Sequence, residues 1–311
     1  MTRRMVQRGG FLLLAAALLL GAARLPGHTA EEPPALADAV YVYDGYAART
    51  DAAFDAASLD RAAYRFQHLH DLYFAGRGIY LAVVPDKALF TVPPEGYTPA
   101  GAAETADDLC SALDFLTPVD IAGGLTLADY YRTDPHWRQE QLRPVADTLL
   151  TAMGAPVPDT REESLCALEG AFHGSYWGKT EEPLEPDTLS YLTSPVLEGC
   201  TVHNYETDTD GGVYDFDAAQ DAPYDLFLSG SRSLLRIDSP DALSDRTLVV
   251  FRDSFGSSLI PLLAESYRTV YAVDIRYLSS DLLGRFVDFP ADADVLLLYS
   301  TTVLHNSITL K

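Results

Sequence analysis

Residues 249–264 read VVFRDSFGSSLIPLLA. An apolar run closes on Phe251, and Arg252-Asp253-Ser254-Phe255-Gly256 follows at once. A second apolar segment starts with Ser257 and Ser258. The pattern is strand, sharp turn, helix, and it repeats downstream. TLVVF (247–251) reads as a strand, SSLIPLLAESY as a helix and TVYAVDI as a strand. DLLGRFVDF reads as a helix and DVLLLYS as a strand. Strands that are apolar throughout belong to a parallel sheet covered on both faces. Ser254 then lies just past the carboxyl end of a central strand, where open α/β sheets place their sites. Pro261 is expected in or near the first turn of its helix.

Two readings of Ser254 stand side by side. A Ser or Asp before a helix is an ordinary N-cap. A Ser on a strand-to-helix turn can also be a nucleophile, with the backbone N–H groups of Ser254 and Gly256 as oxyanion donors. Gly256 would let a ligand approach the backbone closely.

A second segment bears on the choice. YYRTDPHWRQ (130–139) carries Asp134 and His136 two positions apart, with Pro135 between them. Proline biases Asp134 towards extended backbone, and alternate residues of an extended chain share a side. The pair can therefore act as orienter and base for a hydroxyl nucleophile. The competing reading is a solvated turn with an unrelated histidine.

TDPHW resembles the Thr-Asp-His-His-Trp motif of the DHHW family, whose domains are similar to the SGNH-hydrolase-like domains of alginate-type O-acetyltransferases. GIYLAVVPDK, FHGSYWGKT (172–180), YDLFLSGSRSLLRI (224–237) and DVLLLYSTTVLHNS (294–307) fit the same pattern in order and spacing. The resemblance spans about residues 80–307. It implies an SGNH-hydrolase-like, flavodoxin-like α/β fold with a mostly parallel sheet flanked by helices. It also implies a triad of Ser254, His136 and Asp134. Pro135 replaces the motif's first His, Arg252 stands where a Gly-Asp-Ser block has Gly, and Ser231 stands where relatives tend to carry Asn.

The rest of the chain narrows the function. It has 311 residues, 48% of them hydrophobic, and a formal net charge of −23. That field argues against nucleic-acid partners. Residues 1–30 carry Arg3, Arg4 and Arg8 before FLLLAAALLLGAA, the pattern of a signal peptide or N-terminal membrane anchor. The apolar run of about 13 residues is shorter than the roughly 20 of a membrane span. Cleavage could follow Ala23 or Ala30. Residues 31–311 are expected to form one exported domain. Within it, 154–245 should be an irregular region of short strands and long loops.

Cys110, Cys166 and Cys200 admit either one disulfide and a free thiol or three small buried residues. His173, His203 and His305 stand singly, without metal-ligand spacing, so neither metal nor cofactor is assigned. Tyr176 and Trp177 could wall a sugar, or be ordinary core and rim aromatics. Arg276 could bind an acidic sugar or pair with Asp274. Lys87 is expected at a rim.

The expectation is an exported acyl enzyme, an O-acetyltransferase acting on a cell-envelope or secreted polysaccharide. Its acetyl donor would be handed over by a separate integral-membrane acyltransferase. A carbohydrate acetylesterase and a non-catalytic glycan-binding or assembly module are the alternatives. With a histidine base, the rate should rise with pH through the range of an unperturbed imidazole, about 6.5.

Overall fold

The computed structural model describes residues 39–159 and 161–311, so the leader lies outside the described residues. Strands β1 (Val40–Tyr43) and β2 (Tyr46–Arg49) form an antiparallel hairpin. Strands β3 (Ile79–Val84) and β4 (Leu116–Pro118) follow. A second hairpin pairs β5 (Ser164–Ala167) with β6 (Ser190–Thr193). Then come β7 (Thr201–Asn204), β8 (Thr209–Gly211) and β9 (Leu234–Asp238). The chain closes with β10 (Thr247–Arg252), β11 (Thr269–Val273) and β12 (Asp294–Ser300).

Eight of these strands make one sheet in the order β4-β3-β12-β10-β11-β9-β7-β8. The run from β4 to β11 is parallel. Beyond β11 the pairing turns antiparallel. Residues 201–238 therefore extend the sheet, and TDTDGG (207–212) lies at the β7–β8 hairpin.

Strand β10 shows why the block is parallel and central. Leu248 and Val250 enter one core cluster, and Val249 and Phe251 enter the other. All four are fully buried, each gaining roughly 1.5–3 kcal/mol of transfer free energy. Successive side chains alternate faces, so a strand apolar at every position must be covered twice. Helices Ala56–Tyr73 and Ala102–Ala112 cover one face through Phe66, Leu69 and Leu109. Helices Arg143–Ala152 and Gly256–Ala264 cover the other through Leu149, Leu259 and Leu263. Asp55 caps the first helix by accepting the Ser58 N–H at 3.0 Å. Pro144 sits at the start of its helix, where a missing N–H costs nothing.

Two local expectations are corrected. Pro261 lies inside its helix, because the helix begins at Gly256 directly from the turn. The helix expected over DLLGRFVDF is a short 3-10 helix, Ser280–Arg285. There the Gly284 N–H donates to the Tyr73 hydroxyl at 3.0 Å, an outside acceptor competing with the helical ladder. Among the described residues no helix is long and apolar enough to cross a membrane. The three cysteines are unbonded, with Cys200 buried and Cys110 and Cys166 half-buried.

Candidate active site

The Ser254 turn leaves the carboxyl end of β10 and enters helix Gly256–Ala264. Asp253 shapes it. One carboxylate oxygen accepts the Phe255 N–H at 3.0 Å, and the other accepts the Ser300 N–H at the end of β12 at 2.7 Å. The helix has no side-chain cap, so the Ser254 hydroxyl does not serve as one. That hydroxyl lies 2.8 Å from His136 Nε2.

His136 Nδ1 lies 2.5 Å from Asp134 Oδ1. A carboxylate can only accept, so Nδ1 carries the proton and Nε2 is left to accept from Ser254. The same Asp134 oxygen accepts the His136 backbone N–H at 3.1 Å, and Oδ2 accepts the Ser175 N–H at 2.8 Å. Asp134 and His136 thus meet across a bend closed by the Asp134 side chain, not along extended backbone. Burial would raise the Asp134 pKa, but the His136 charge and hydrogen bond, with the Ser175 and His136 N–H groups, bring it down to about 2.

The loop carrying this pair is held from outside. Lys87 is buried rather than at a rim, and its Nζ donates to Tyr131 O and Asp134 O, both at 2.7 Å. It also lies 5.2 Å from the centre of the Tyr176 ring. Burial lowers the Lys87 ammonium to about 8, against the pull of Asp134, Asp86 and Asp187. Asp187 accepts the N–H groups of Arg132 and Thr133 at 2.8 Å each and the Thr133 hydroxyl at 2.6 Å. Gly174 passes so close that a Cβ there would stand 2.3 Å from Asp134 Cβ.

Two side chains tie the loop to the turn and helix that follow Ser254. Trp137 Nε1 donates to Phe255 O at 3.0 Å, and Gln139 Nε2 donates to Ser258 O at 2.8 Å. The Tyr224 ring stacks on the His136 imidazole at 3.9 Å and 13°. Only the serine, histidine and aspartate were legible in advance. Tyr224, Gln139 and Asp187 carry no local pattern that marks them, and Lys87 looks like any lysine after a strand.

Other candidates land elsewhere. The Gly256 N–H donates to Asp253 O at 3.1 Å, so it is not a free oxyanion donor. The space a side chain would need at Gly256 is taken by Arg252, whose Cβ would be 2.8 Å from the added Cβ. The Ser254 N–H donates to no group among the described residues. Tyr176 is buried against Ala47 and Leu184, which removes it from any exposed sugar wall. Trp177 is partly exposed and stacks on His173 at 4.1 Å. Arg276 grips Asp274 with Nε and Nη2 at 2.9 and 2.7 Å, the structural pairing. His203 contacts Asp210, and His305 lies between the Asp55 N–H and the Thr105 hydroxyl.

No family model and no curated protein matches the sequence. Solved structures do. A DHHW family protein from Eubacterium siraeum DSM 15702 is 20% identical with a TM-score of 0.66, over 88% of this chain and 95% of that one. PatB1 of Bacillus cereus, solved with a sulfonyl adduct, is 16% identical with a TM-score of 0.61, over 86% and 96%. The O-acetyltransferase domain of Pseudomonas putida AlgJ is 15% identical with a TM-score of 0.50, over 86% and 92%. The chain has the SGNH-like α/β fold shared by a DHHW family protein and an O-acetyltransferase domain.

Proposed function

We propose that this protein is an exported serine-dependent O-acetyltransferase that acetylates sugar hydroxyls of a cell-envelope or secreted polysaccharide. The observation that carries the reading is the unbroken hydrogen-bond chain Asp134–His136–Ser254, with its histidine tautomer set by the carboxylate. A capping serine has no use for such a chain. The fold shared with the AlgJ O-acetyltransferase domain favours acetyl as the group transferred.

In the first half-reaction Ser254 Oγ bonds to the acetyl carbon as its proton moves to His136 Nε2. The carbonyl electron pair shifts to oxygen, held by the Ser254 N–H. When that pair returns, the donor's leaving group departs with the proton from Nε2, and acetyl-Ser254 remains. In the second half a sugar hydroxyl gives its proton to Nε2 and bonds to the acetyl carbon. Ser254 then leaves and recovers the proton. Asp134 holds Nδ1–H throughout and stabilises the imidazolium. The acidic surface and the engagement of Arg276 by Asp274 favour a neutral acceptor sugar. The basic, apolar pattern of residues 1–30 supports export, and an exported domain would take its acetyl group from an integral-membrane acyltransferase.

An activated acetyl ester offered to the protein and to Ser254→Ala tests the chemistry. The variant should be slower by about 10⁴-fold or more. A sulfonyl fluoride should place its sulfonyl group on Ser254 Oγ, with fluoride and the hydroxyl proton lost, by analogy with the adduct on PatB1. Equal ester turnover by both proteins removes the enzyme reading. Acetylated oligosaccharide, rather than free acetate, marks a transferase and not an esterase.

A further inference from the structure

Arg252 is fully buried, yet among the described residues no carboxylate lies within ion-pair distance of it. Asp274, whose charge favours the guanidinium most, grips Arg276 instead. A lone buried guanidinium is costly unless its donors are well used. Here they are. Nη1 donates to Ser257 Oγ at 2.8 Å and Asp253 O at 3.3 Å, on the nucleophile's turn. Nη2 donates to Gly230 O at 3.2 Å and Arg232 O at 3.5 Å, on a separate loop. Gly256 supplies the room for the side chain.

The loop it grips is strained. Leu228, Ser229 and Gly230 are all left-handed, with φ of 55°, 57° and 75°. Two of the three are not glycine, and such conformations persist only where surroundings impose them. Ser229 Oγ donates to Asp215 at 2.6 Å, which anchors one side. The Gly230 Cα abuts the Asp225 carboxylate, and Asp225 follows Tyr224, the residue stacked on His136. Ser231 is exposed, and its N–H donates to no group among the described residues. The peptide is planar and trans, so the guanidinium that fixes Gly230 O also fixes the direction of the Ser231 N–H.

We infer that Arg252 is a positioning residue: it locks loop 228–232 against the Ser254 turn so that the Ser231 N–H joins the Ser254 N–H in receiving the acyl oxygen. This rests on the acyl-transfer reading above. It also gives the arginine beside the nucleophile a task, and it replaces the donor that Gly256 does not provide.

The test compares Arg252→Lys, Ser231→Pro and Ser254→Ala on an activated acetyl ester, each first checked for native folding by circular dichroism. Lysine keeps the charge but cannot span both segments, and kcat should fall about 10²-fold at a KM within threefold of wild type. The acid limb of the pH–rate profile should stay in place, because His136 is untouched. Ser231→Pro leaves the guanidinium alone and deletes an N–H that bonds to no group among the described residues, so in a variant that folds natively no loop hydrogen bond is lost. A comparable fall in kcat is expected there as well. Should Arg252→Lys not fold, Ser231→Pro decides alone. Wild-type kcat in Ser231→Pro, or in a folded Arg252→Lys, overturns the inference. So does a loss confined to KM, or one accompanied by a shifted acid limb. Unchanged turnover in Ser254→Ala would instead remove the acyl reading itself.

Discussion

The two halves of the site are held in different ways. The Ser254 turn is a product of regular structure: β10 lies between β11 and β12, and a helix begins two residues after Ser254. Two of its side-chain braces, Asp253 and Arg252, come from within two residues of Ser254. The Asp134–His136 loop has almost no regular structure; Lys87, Asp187 and Ser175 hold it from as far as 54 residues away, and its own Trp137 ties it to Phe255. Where repeating backbone hydrogen bonds are available, a reactive group needs little else. Where they are not, side chains must satisfy the carbonyls and N–H groups singly, and each becomes a point of failure.

That contrast can be broken most directly at Lys87. Lys87→Met leaves the buried carbonyls of Tyr131 and Asp134 without their donor and should cost about 3 kcal/mol of stability. The urea midpoint measures it. If the loop were self-supporting, the midpoint would not move.

Acid sharpens the comparison next. The folded Asp134 titrates at about 2, below the ordinary carboxylate value. Its contribution is therefore fully present above the unfolded value of about 4 and disappears as pH falls towards 2. The loss should be about 2 kcal/mol between pH 5 and pH 2, visible in urea unfolding. Asp134→Asn should flatten that part of the profile, and an unaltered slope in the variant would assign the acid sensitivity to other carboxylates.

The smallest effect is expected at the seam between the halves. Trp137→Phe keeps the ring in the core but deletes the donor to Phe255 O, at a cost of about 1 kcal/mol. Because the lost bond sets the distance from His136 to Ser254, kcat should fall about tenfold while KM stays put. A stability loss with wild-type kcat would mean that Trp137 supports the core without aligning the pair.

How much was legible follows the same division. The parallel block could be read from runs such as VVF and VLLLY, because strands covered on both faces are apolar at every position. The serine and the Asp-Pro-His segment were legible as residue types. Their backbone geometry was not, since the Asp134 side chain closes a bend where extended chain was expected. The antiparallel strands β7 to β9 are short and partly exposed, so their weak patterning did not reveal that they extend the sheet. Pro261 and residues 280–285 were misread because helix starts and outside acceptors such as the Tyr73 hydroxyl decide them.

The sequence by itself determined the strand–turn–helix block and the acidic surface, and offered the three groups of the hydrogen-bond chain as candidates. Those follow from periodicity, charge and residue chemistry, which are local properties. Only the tertiary structure decided that Lys87 is buried beneath the histidine loop, that Tyr224 stacks on the imidazole, and that Arg252 closes off Gly256 while gripping loop 228–232. Each of these joins residues distant in sequence. A buried polar group takes whichever partner the packing brings within reach, and the sequence around it does not encode that choice.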